Sequence, residues 1–262
     1  MFGTTPDIPS SDPKGPMFDQ LGVAFSTDGA SHYGYTESLA RASAPDGTLL
    51  PDGRAAVYYN DGQTNGIFMS ILSGTTLTPV SAVTVNGVFR PRGMADINVA
   101  LVGGKVRMTW MKGDNPDRNR TFCIAESADG LSFTVLAKAI EFGNSSEADP
   151  TVVQMNDGTW LMAYSRQNHT GMGLARSSNG LSFTEYDTKT YGVVPELALT
   201  DDGRVRLYVC ADGVTSYISS DRGTSWTREA QIITARVTGR NIVCDPTYIS
   251  AIKQFIFKVT DA

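Results

Sequence analysis

Four acidic side chains stand at the beginning of separate apolar segments of the sequence: Asp96, Asp149, Glu196 and Asp245. If these segments meet, the like charges repel each other, so some carboxyl groups keep a proton at neutral pH while others stay ionised. Such a set can donate a proton and activate water or attack carbon, which is the chemistry that cleaves an acetal bond. Strand propensity gives no reason for a glutamate at a strand start, which favours a functional interpretation of Glu196.

A structural interpretation of two of the aspartates stays open. Asp149 precedes Pro150 and Asp245 precedes Pro246, and an Asp-Pro pair is also a common turn at the entry to a strand. A repeat carries such turns from copy to copy without any functional need. The sequence favours a functional role for Asp149 and leaves Asp245 between the two interpretations.

The elements that would position these acids form a repeat. Residues 93–134, 149–184 and 195–227 each hold strand, hairpin, strand, loop, strand and turn in that order; residues 38–78 hold a weaker copy, and a fifth copy is split between residues 244–261 and 21–33. Repeats of about 40–50 residues with four strands each are typical of a β-propeller. We therefore predict an all-β fold, a five-bladed β-propeller with four antiparallel strands per blade, in which both termini close the last blade.

The predicted propeller occupies residues 19–262 as a single domain, and residues 1–18 form a Pro/Ser/Asp-rich N-terminal arm. The innermost strands of a propeller surround a central channel, so residues at their starts converge on one mouth. We expect the four acids to face this mouth together. The first blade offers Ala44-Pro45-Asp46 at the corresponding place.

A turn recurs after the third strand of the repeat, at residues 26–29, 127–130, 177–180 and 219–223. Its aspartate or asparagine can accept backbone N–H bonds, and its glycine supplies a positive φ. The aromatic residue that follows in three copies, Phe133, Phe183 or Trp226, can pack between neighbouring sheets. We interpret these turns as structural.

Composition argues against several kinds of partner. The formal net charge is −5 and no Lys/Arg cluster occurs, so we predict no nucleic-acid and no membrane partner. We predict a monomer without a cofactor. We also predict no metal, since the two histidines form no metal-binding pattern with cysteines. No signal peptide is recognisable, and the compartment stays open, with a secreted or extracytoplasmic location favoured. Cys210 and Cys244 fall in successive blades and could be bridged, although unclustered cysteines are more often buried thiols.

On these motifs the sequence resembles the five-bladed propeller glycosidases, a superfamily that includes arabinanases, xylosidases, invertases and levansucrases. The resemblance implies a glycoside hydrolase or transferase with a carbohydrate ligand or substrate. It implies that Glu196, in Val194-Pro195-Glu196-Leu197, is the general acid. Asp149 is similar to a second aspartate that orients the substrate or tunes a pKa, and Asp96 is the best candidate for the nucleophile or base.

The sequence departs from that superfamily at two positions. Ala44 stands where arabinanase-type enzymes place their base, and Ala148 stands where an arginine precedes the second aspartate of invertase-type enzymes. These departures keep a second hypothesis open, in which the propeller binds carbohydrate or protein without catalysis.

A sialidase-like enzyme is a third hypothesis. Ser219 to Trp226 matches the Asp-box turn of sialidases and other propellers, and Phe89-Arg90-Pro91 resembles their F-R-I-P segment. Three arginines precede inner strands and could bind a carboxylated sugar by forked hydrogen bonds: Arg41, Arg92 and Arg240. At the rim we expect Arg166 and the loop Gly113–Arg120, and we predict Tyr164 or Trp110 as stacking platforms for a sugar.

Overall fold

The computed structural model describes residues 16–89, 93–112, 120–143, 147–166 and 170–261. In chain order its strands are β1 (Gln20–Phe25), β2 (Tyr33–Ala40), β3 (Ala42–Leu49), β4 (Ala55–Asp61), β5 (Ile67–Ser73), β6 (Thr76–Ala82), β7 (Thr84–Val85), β8 (Val88–Phe89), β9 (Met94–Val102), β10 (Lys105–Lys112), β11 (Arg120–Ser127), β12 (Ser132–Phe142), β13 (Ala148–Gln154), β14 (Trp160–Ser165), β15 (Met172–Ser177), β16 (Thr184–Lys189), β17 (Val193–Leu199), β18 (Val205–Ala211), β19 (Gly213–Ser219), β20 (Thr227–Ile233), β21 (Ile242–Ile249) and β22 (Gln254–Thr260).

These strands form five sheets, with the orders β3-β4-β5-β6, β9-β10-β11-β12, β13-β14-β15-β16, β17-β18-β19-β20 and β21-β22-β1-β2, which we call blades one to five. The inner strands β3, β9, β13, β17 and β21 pack against one another in turn, and β21 returns to β3. The five-bladed propeller predicted from the sequence is therefore confirmed.

Both ends of the chain build blade five. Strand β1 pairs antiparallel with β22, in a register that joins Gln20 to Val259 and Phe25 to Gln254. The inner half of this blade thus comes from the end of the chain and the outer half from its beginning, as predicted. This pairing closes the ring and leaves no open edge between the first and last repeats.

Burial explains the strand sequences. The second strands β14 and β18 are near-continuous apolar runs because neighbouring blades cover both of their faces. The outermost strands β6 and β16 carry mostly exposed residues, because they lie at the outer edges of their blades. Five apolar clusters fill the seams, and each combines residues from two adjacent blades.

Blade two departs from the four-strand prediction. The short strands β7 and β8 form a hairpin, and β7 runs parallel to the outer strand β12, which extends this sheet to six strands. Asn86 and Gly87, between β7 and β8, both have positive φ, at 51° and 74°. An Asn-Gly pair in this conformation is a strong hairpin signal, which makes this strand addition readable from the sequence.

The recurring turns attach each blade to its neighbour. In blade two, Ser127 Oγ accepts the Gly130 N–H at 2.9 Å, and Asp129 Oδ1 accepts the N–H groups of Leu131 and Ser132. The Tyr58 hydroxyl of blade one donates to the Gly130 carbonyl at 2.8 Å. These contacts support the structural interpretation of the turns. The likeness of Ser219 to Trp226 to an Asp-box stays a prediction.

A disulfide joins Cys210 of β18 to Cys244 of β21 and so links blades four and five. The buried thiol interpretation holds for Cys123 alone. A four-residue helix, α1 (Ala235–Thr238), precedes β21. Within the described ranges, no helix has the length and apolarity needed to cross a membrane.

Candidate active site

Each inner strand is kinked near its start by one residue with left-handed backbone. These residues are Ala44, Asp96, Asp149, Val194 and Asp245, with φ between 45° and 51°. At the same places the pairing of the inner strand with the second strand shifts register. This conformation costs an L-residue about 1–2 kcal/mol. The surrounding propeller therefore imposes it, even on the β-branched Val194, where it is most unfavourable.

The kinks define two levels of side chains around the channel. The upper ring is the set of kinked residues, and the lower ring is the set two positions further along each strand: Asp46, Asn98, Thr151, Glu196 and Thr247. Glu196 therefore lies in the lower ring, and its place in the upper ring of blade four is taken by Val194. The prediction that aligned Glu196 with Asp96, Asp149 and Asp245 was wrong by two residues.

The mouth of the channel holds a small pocket lined by the upper ring and by Asp46 and Glu196 of the lower ring. All four predicted acids line it, together with Asp46. The cavity volume is about 30 Å³, which suits one water molecule or a hydroxyl group, whereas pockets for small molecules commonly measure about 300–1,000 Å³. A pocket of this size accepts a small polar group, and a larger ligand would have to lie above the mouth.

Hydrogen bonds connect the lower ring from blade to blade. Asp46 Oδ1 accepts from Thr247 Oγ1 at 2.6 Å, and its Oδ2 accepts from Asn98 Nδ2 at 2.8 Å and from the Val99 N–H at 2.5 Å. Thr151 Oγ1 donates to Glu196 Oε2 at 2.8 Å. These hydrogen bonds join inner strands of neighbouring blades, so the lower ring links the blades to one another around the channel.

The same pattern repeats with backbone donors. The N–H of Val152 donates to Asn98 Oδ1 at 2.9 Å, and the N–H of Leu197 donates to Thr151 Oγ1 at 3.0 Å. In each case a lower-ring side chain accepts the backbone N–H of the next blade. Polar residues at this level therefore have a structural function whether or not they also take part in chemistry.

Burial and crowding change the protonation of the mouth. Burial raises the pKa of Asp96 to about 8, and the negative charges of Asp149 and Asp245 contribute further. Burial and the charge of Asp46 raise the pKa of Glu196 well above its ordinary value. Burial raises the pKa of Asp46 to about 6 against the hydrogen bonds that Asp46 accepts. At neutral pH the site therefore holds protonated and ionised carboxyl groups side by side.

An ammonium group lies behind this cluster. Lys258 Nζ of β22 is 2.5 Å from Asp245 Oδ2, and the side chains of Lys258 and Asp245 are only 21% and 10% exposed. Asp19, just before β1, is buried and interacts with the charges of Lys258 and Asp245. Burial lowers the pKa of Lys258, but the ion pair with Asp245 and the charges of Asp19 and Asp149 outweigh it and raise the pKa.

Of the predicted arginines, the three that the structure describes do not line the pocket. Arg240 donates to Glu37 and Asp261, and Arg166 forms an ion pair with Glu185 at 3.0 Å. Arg41 is exposed, directly before β3. Arg92 lies outside the described residues. The three arginines that the sialidase hypothesis requires are therefore not seen together.

The predicted aromatic platforms belong to the core. Tyr164 is fully buried and stacks edge-on against Phe122 of the adjacent blade, and its hydroxyl bonds to Glu185. Trp110 is 4% exposed and packs in the seam between blades one and two. Neither side chain lines the pocket. Most of the predicted rim loop, residues 113–119, lies outside the described residues.

Sequence reasoning missed Asp46, Asp19 and Lys258. A signal for Asp46 was present, because a proline follows the upper-ring residue in four blades, at Pro45, Pro150, Pro195 and Pro246. Aligning these prolines pairs Glu196 with Asp46 and Val194 with the upper aspartates. No comparable motif marks Asp19 or Lys258, because their proximity results from ring closure.

No protein-family model and no curated protein sequence matches this chain. Solved structures do. Zg3597, a family 117 glycoside hydrolase from the marine bacterium Zobellia galactanivorans, superposes with a TM-score of 0.65 at 13% identity over 94% of this chain and 91% of its own. The chain has the fold of the five-bladed propeller glycosidases.

Other neighbours have the same architecture. A thermostable family-43 glycoside hydrolase matches with a TM-score of 0.65 at 13% identity, covering 82% of this chain and 83% of its own. The α-L-arabinanase of Penicillium chrysogenum, in complex with arabinobiose, matches with a TM-score of 0.53 at 15% identity, covering 71% and 66%. At such identities the likeness concerns the fold, and the chemistry has to be argued from the site itself.

Proposed function

We propose that the mouth of this propeller cleaves or transfers a glycosidic bond with the carboxyl groups of Asp96, Asp149 and Glu196. One observation carries the proposal: carboxyl groups from several blades line one solvent-open pocket, and burial and mutual repulsion keep some of them protonated. Asp46 and Glu196 also hold hydrogen bonds between blades, but burying several carboxyl groups side by side costs free energy. A glycosidase requires both a proton donor and an ionised carboxylate.

In the proposed reaction Glu196 is the proton donor. Its raised pKa keeps the proton available at neutral pH, and that proton passes to the glycosidic oxygen as the bond from this oxygen to the anomeric carbon breaks. The leaving group departs as an alcohol. Because Glu196 belongs to the lower ring, the leaving oxygen has to approach the small pocket from above.

We assign the attacking carboxylate of the proposed reaction to Asp149. Burial, together with the negative charge of Asp149, raises the pKa of Asp96 to about 8. The charge that attacks the anomeric carbon, or that takes a proton from water, is therefore assigned to Asp149. The role of base that the family resemblance gives to Asp96 is better supported for Asp149, with Asp96 as its protonated partner. A separation of the reacting carboxyl groups of roughly 5–5.5 Å implies retention, and one of roughly 6.5–9.5 Å implies inversion.

The substrate class is proposed from the neighbours. The structures with this fold include an arabinanase with arabinobiose and a fructofuranosidase with fructosylnystose, from Schwanniomyces occidentalis. We propose a carbohydrate substrate for this chain as well. The small volume of the pocket also suits the second hypothesis, a propeller that binds a carbohydrate without cleaving it, and the experiment must separate the two.

The test is a panel of chromogenic glycosides, including sialosides, with wild type, Glu196→Gln and Asp149→Asn. We expect each variant to lose about 10²–10⁴-fold in kcat, the usual contribution of an acid or base, with little change in binding measured by calorimetry. Asp52→Asn, in an exposed turn of blade one, is the matched control and should keep wild-type activity. Binding without turnover by wild type would refute the catalytic proposal and support the binding propeller.

A further inference from the structure

Thr151 carries a buried hydroxyl group that contacts the proposed proton donor. It lies in the lower ring, two positions after Asp149 on β13, and is only 1% exposed. Its Oγ1 donates to Glu196 Oε2 of the next blade at 2.8 Å. Among the described residues, Glu196 lines the mouth pocket whereas Thr151 does not. Any effect of Thr151 on a ligand in this pocket therefore passes through Glu196.

The direction of the hydrogen bond between Thr151 and Glu196 is fixed by the other groups around the hydroxyl. The N–H of Leu197 donates to Thr151 Oγ1 at 3.0 Å, and Asn98 Nδ2 lies 3.4 Å from the same oxygen. An N–H group can only donate, so both contacts use lone pairs of the hydroxyl oxygen. The hydroxyl proton is left for the remaining partner, which is Glu196 Oε2.

The amide of Asn98 is held in the orientation that this arrangement requires. Its Oδ1 accepts the N–H of Val152 at 2.9 Å, and its Nδ2 donates to Asp46 Oδ2 at 2.8 Å. The reverse orientation would place two N–H groups against each other on one side and two oxygens on the other. Asn98 therefore presents a donor to Thr151.

These contacts determine which oxygen of Glu196 can carry a proton. Oε2 accepts the proton of Thr151, and a carboxyl proton in the same place would meet it. When Glu196 is protonated, as its raised pKa favours, the carboxyl proton lies on Oε1. When that proton leaves, the negative charge spreads over both oxygens, and the bond from Thr151 to Oε2 becomes charge-assisted and stronger.

We propose that Thr151 is a positioning residue of the proton donor: its hydroxyl holds Oε2 as an acceptor, leaves Oε1 to deliver the proton, and stabilises the negative charge that forms on Glu196. In the reaction the Oε1–H bond breaks as the proton bonds to the glycosidic oxygen, and the electron pair of the bond to the anomeric carbon goes to that oxygen. An interaction that strengthens during this step raises kcat with little effect on binding. For turnover, this inference rests on the proposed glycosidase function, whereas the hydrogen bond can be measured without it.

Infrared difference spectra test the hydrogen bond near neutral pH. Subtracting the spectrum of Glu196→Gln from that of wild type isolates the C=O stretch of the protonated Glu196 carboxyl group. Thr151→Val keeps the shape and removes the hydroxyl, so this band, measured against Thr151→Val/Glu196→Gln, should move to higher wavenumber. Thr151→Ser should keep the wild-type band. A wild type without a protonated Glu196 band, or an unchanged band in Thr151→Val, would overturn the proposal.

Thr64 provides the matched control. Its Oγ1 donates to Asp61 Oδ2 at 2.8 Å and accepts the N–H of Gly66 at 3.2 Å, which repeats the bonding of Thr151 in the hairpin between β4 and β5, and Thr64 does not line the mouth pocket. Thr64→Val should leave the Glu196 band at its wild-type position. A shift of this band in Thr64→Val equal to that in Thr151→Val would count against a specific role of Thr151.

Turnover provides the second readout, because protonation matters most when the leaving alcohol is a weak acid. The sugar that the chromogenic panel identifies is tested as its nitrophenyl glycoside and as its methyl glycoside. Thr151→Val should lose about 10–100-fold in kcat on the methyl glycoside, the usual effect of one hydrogen bond to a charged group, and much less on the nitrophenyl glycoside. Equal losses on both would indicate a structural role and contradict the proposal. If wild type cleaves no glycoside, the proposed function fails, while the infrared spectra still decide whether Thr151 holds Glu196.

Thr151→Cys covers the case in which Thr151→Val does not fold. Its sulfur still accepts the N–H of Leu197, but its S–H group is only a weak donor. The Glu196 band should therefore again move to higher wavenumber, and an unchanged band in Thr151→Cys would show that Thr151 does not donate to Glu196.

Discussion

Asp96 makes the stability of this protein fall as the pH rises, which is the opposite of the usual behaviour of a carboxyl group. The unfolded chain releases the Asp96 proton near its ordinary pKa of 3.8, whereas the folded protein retains it up to a pKa of about 8. Between these values the folded state binds more protons than the unfolded state, so the free energy of unfolding decreases with increasing pH. The substitution Asp96→Asn removes this dependence at nearly constant shape.

The size of the effect follows from the shift. A rise of about four units, at about 1.36 kcal/mol for each unit, gives an upper bound of about 6 kcal/mol. Only about three of these units fall between pH 5 and pH 8.5, and solvent at the open mouth and the coupling to Asp149 reduce the effect further, so we expect about 2–4 kcal/mol in that range. Asp46 and Glu196 contribute with the same sign, because burial raises their pKa values too. Wild type should therefore be considerably more stable at pH 5 than at pH 8.5.

Urea denaturation at pH 5 and at pH 8.5 measures the effect. The difference in free energy of unfolding between the two pH values should be smaller in Asp96→Asn than in wild type by about 2–4 kcal/mol. Asp52→Asn is the control, because Asp52 is fully exposed and its pKa is lowered by Arg54, so its titration ends well below pH 5. A wild type with equal stability at both pH values, or an Asp96→Asn variant with the wild-type difference, would refute the electrostatic account of the mouth.

Two further substitutions test the seams. Replacing Cys210 and Cys244 together by serine should lower the free energy of unfolding, measured by urea denaturation, by about 4 kcal/mol. The reason is that the disulfide joins residues 34 positions apart and constrains the unfolded chain. A loss below about 1 kcal/mol would show that the seam between blades four and five does not depend on the disulfide. Asp46→Ala should cost about 3–6 kcal/mol, because the Val99 N–H, the Asn98 amide and the Thr247 hydroxyl lose a buried acceptor. Asp46→Asn keeps an acceptor oxygen and should cost clearly less, so equal losses would contradict a structural lower ring.

The fold was predictable because its signals are local and repeated. Each blade carries its own hairpins and turns, and the split fifth copy between residues 21–33 and 244–261 is recognisable from apolar segments and one turn. The extra hairpin of blade two was not predicted, although Asn86-Gly87 marks it. A repeat of four strands per blade places these residues between two blades, where no strand is expected. The turn residues alone would have been sufficient to predict the hairpin.

The site was predictable only in part, because the acidic residues at the strand starts do not all occupy the same position on the backbone. The upper aspartates line the pocket as expected, but Glu196 lies two residues beyond the kink, at the level of Asp46. A left-handed residue before a proline is unusual for valine, so only the alignment of Pro195 with Pro150 and Pro246 could have placed Val194 beside the aspartates. Lys258 was missed for a different reason: Asp245 lies beside it in the β21-β22 hairpin, but Asp19 comes from the other end of the sequence and is brought close only when the ring closes.

The joining of both chain ends in blade five has a consequence for folding. Asp19 precedes the first strand and Lys258 lies in the last, so the acidic cluster cannot exist on a nascent chain whose final strand is still in the ribosome. The earlier blades can form by local contacts, whereas the pairing of β1 with β22 is a contact of very high sequence separation and should be slow. The acidic mouth would therefore be completed only when β1 and β22 have paired.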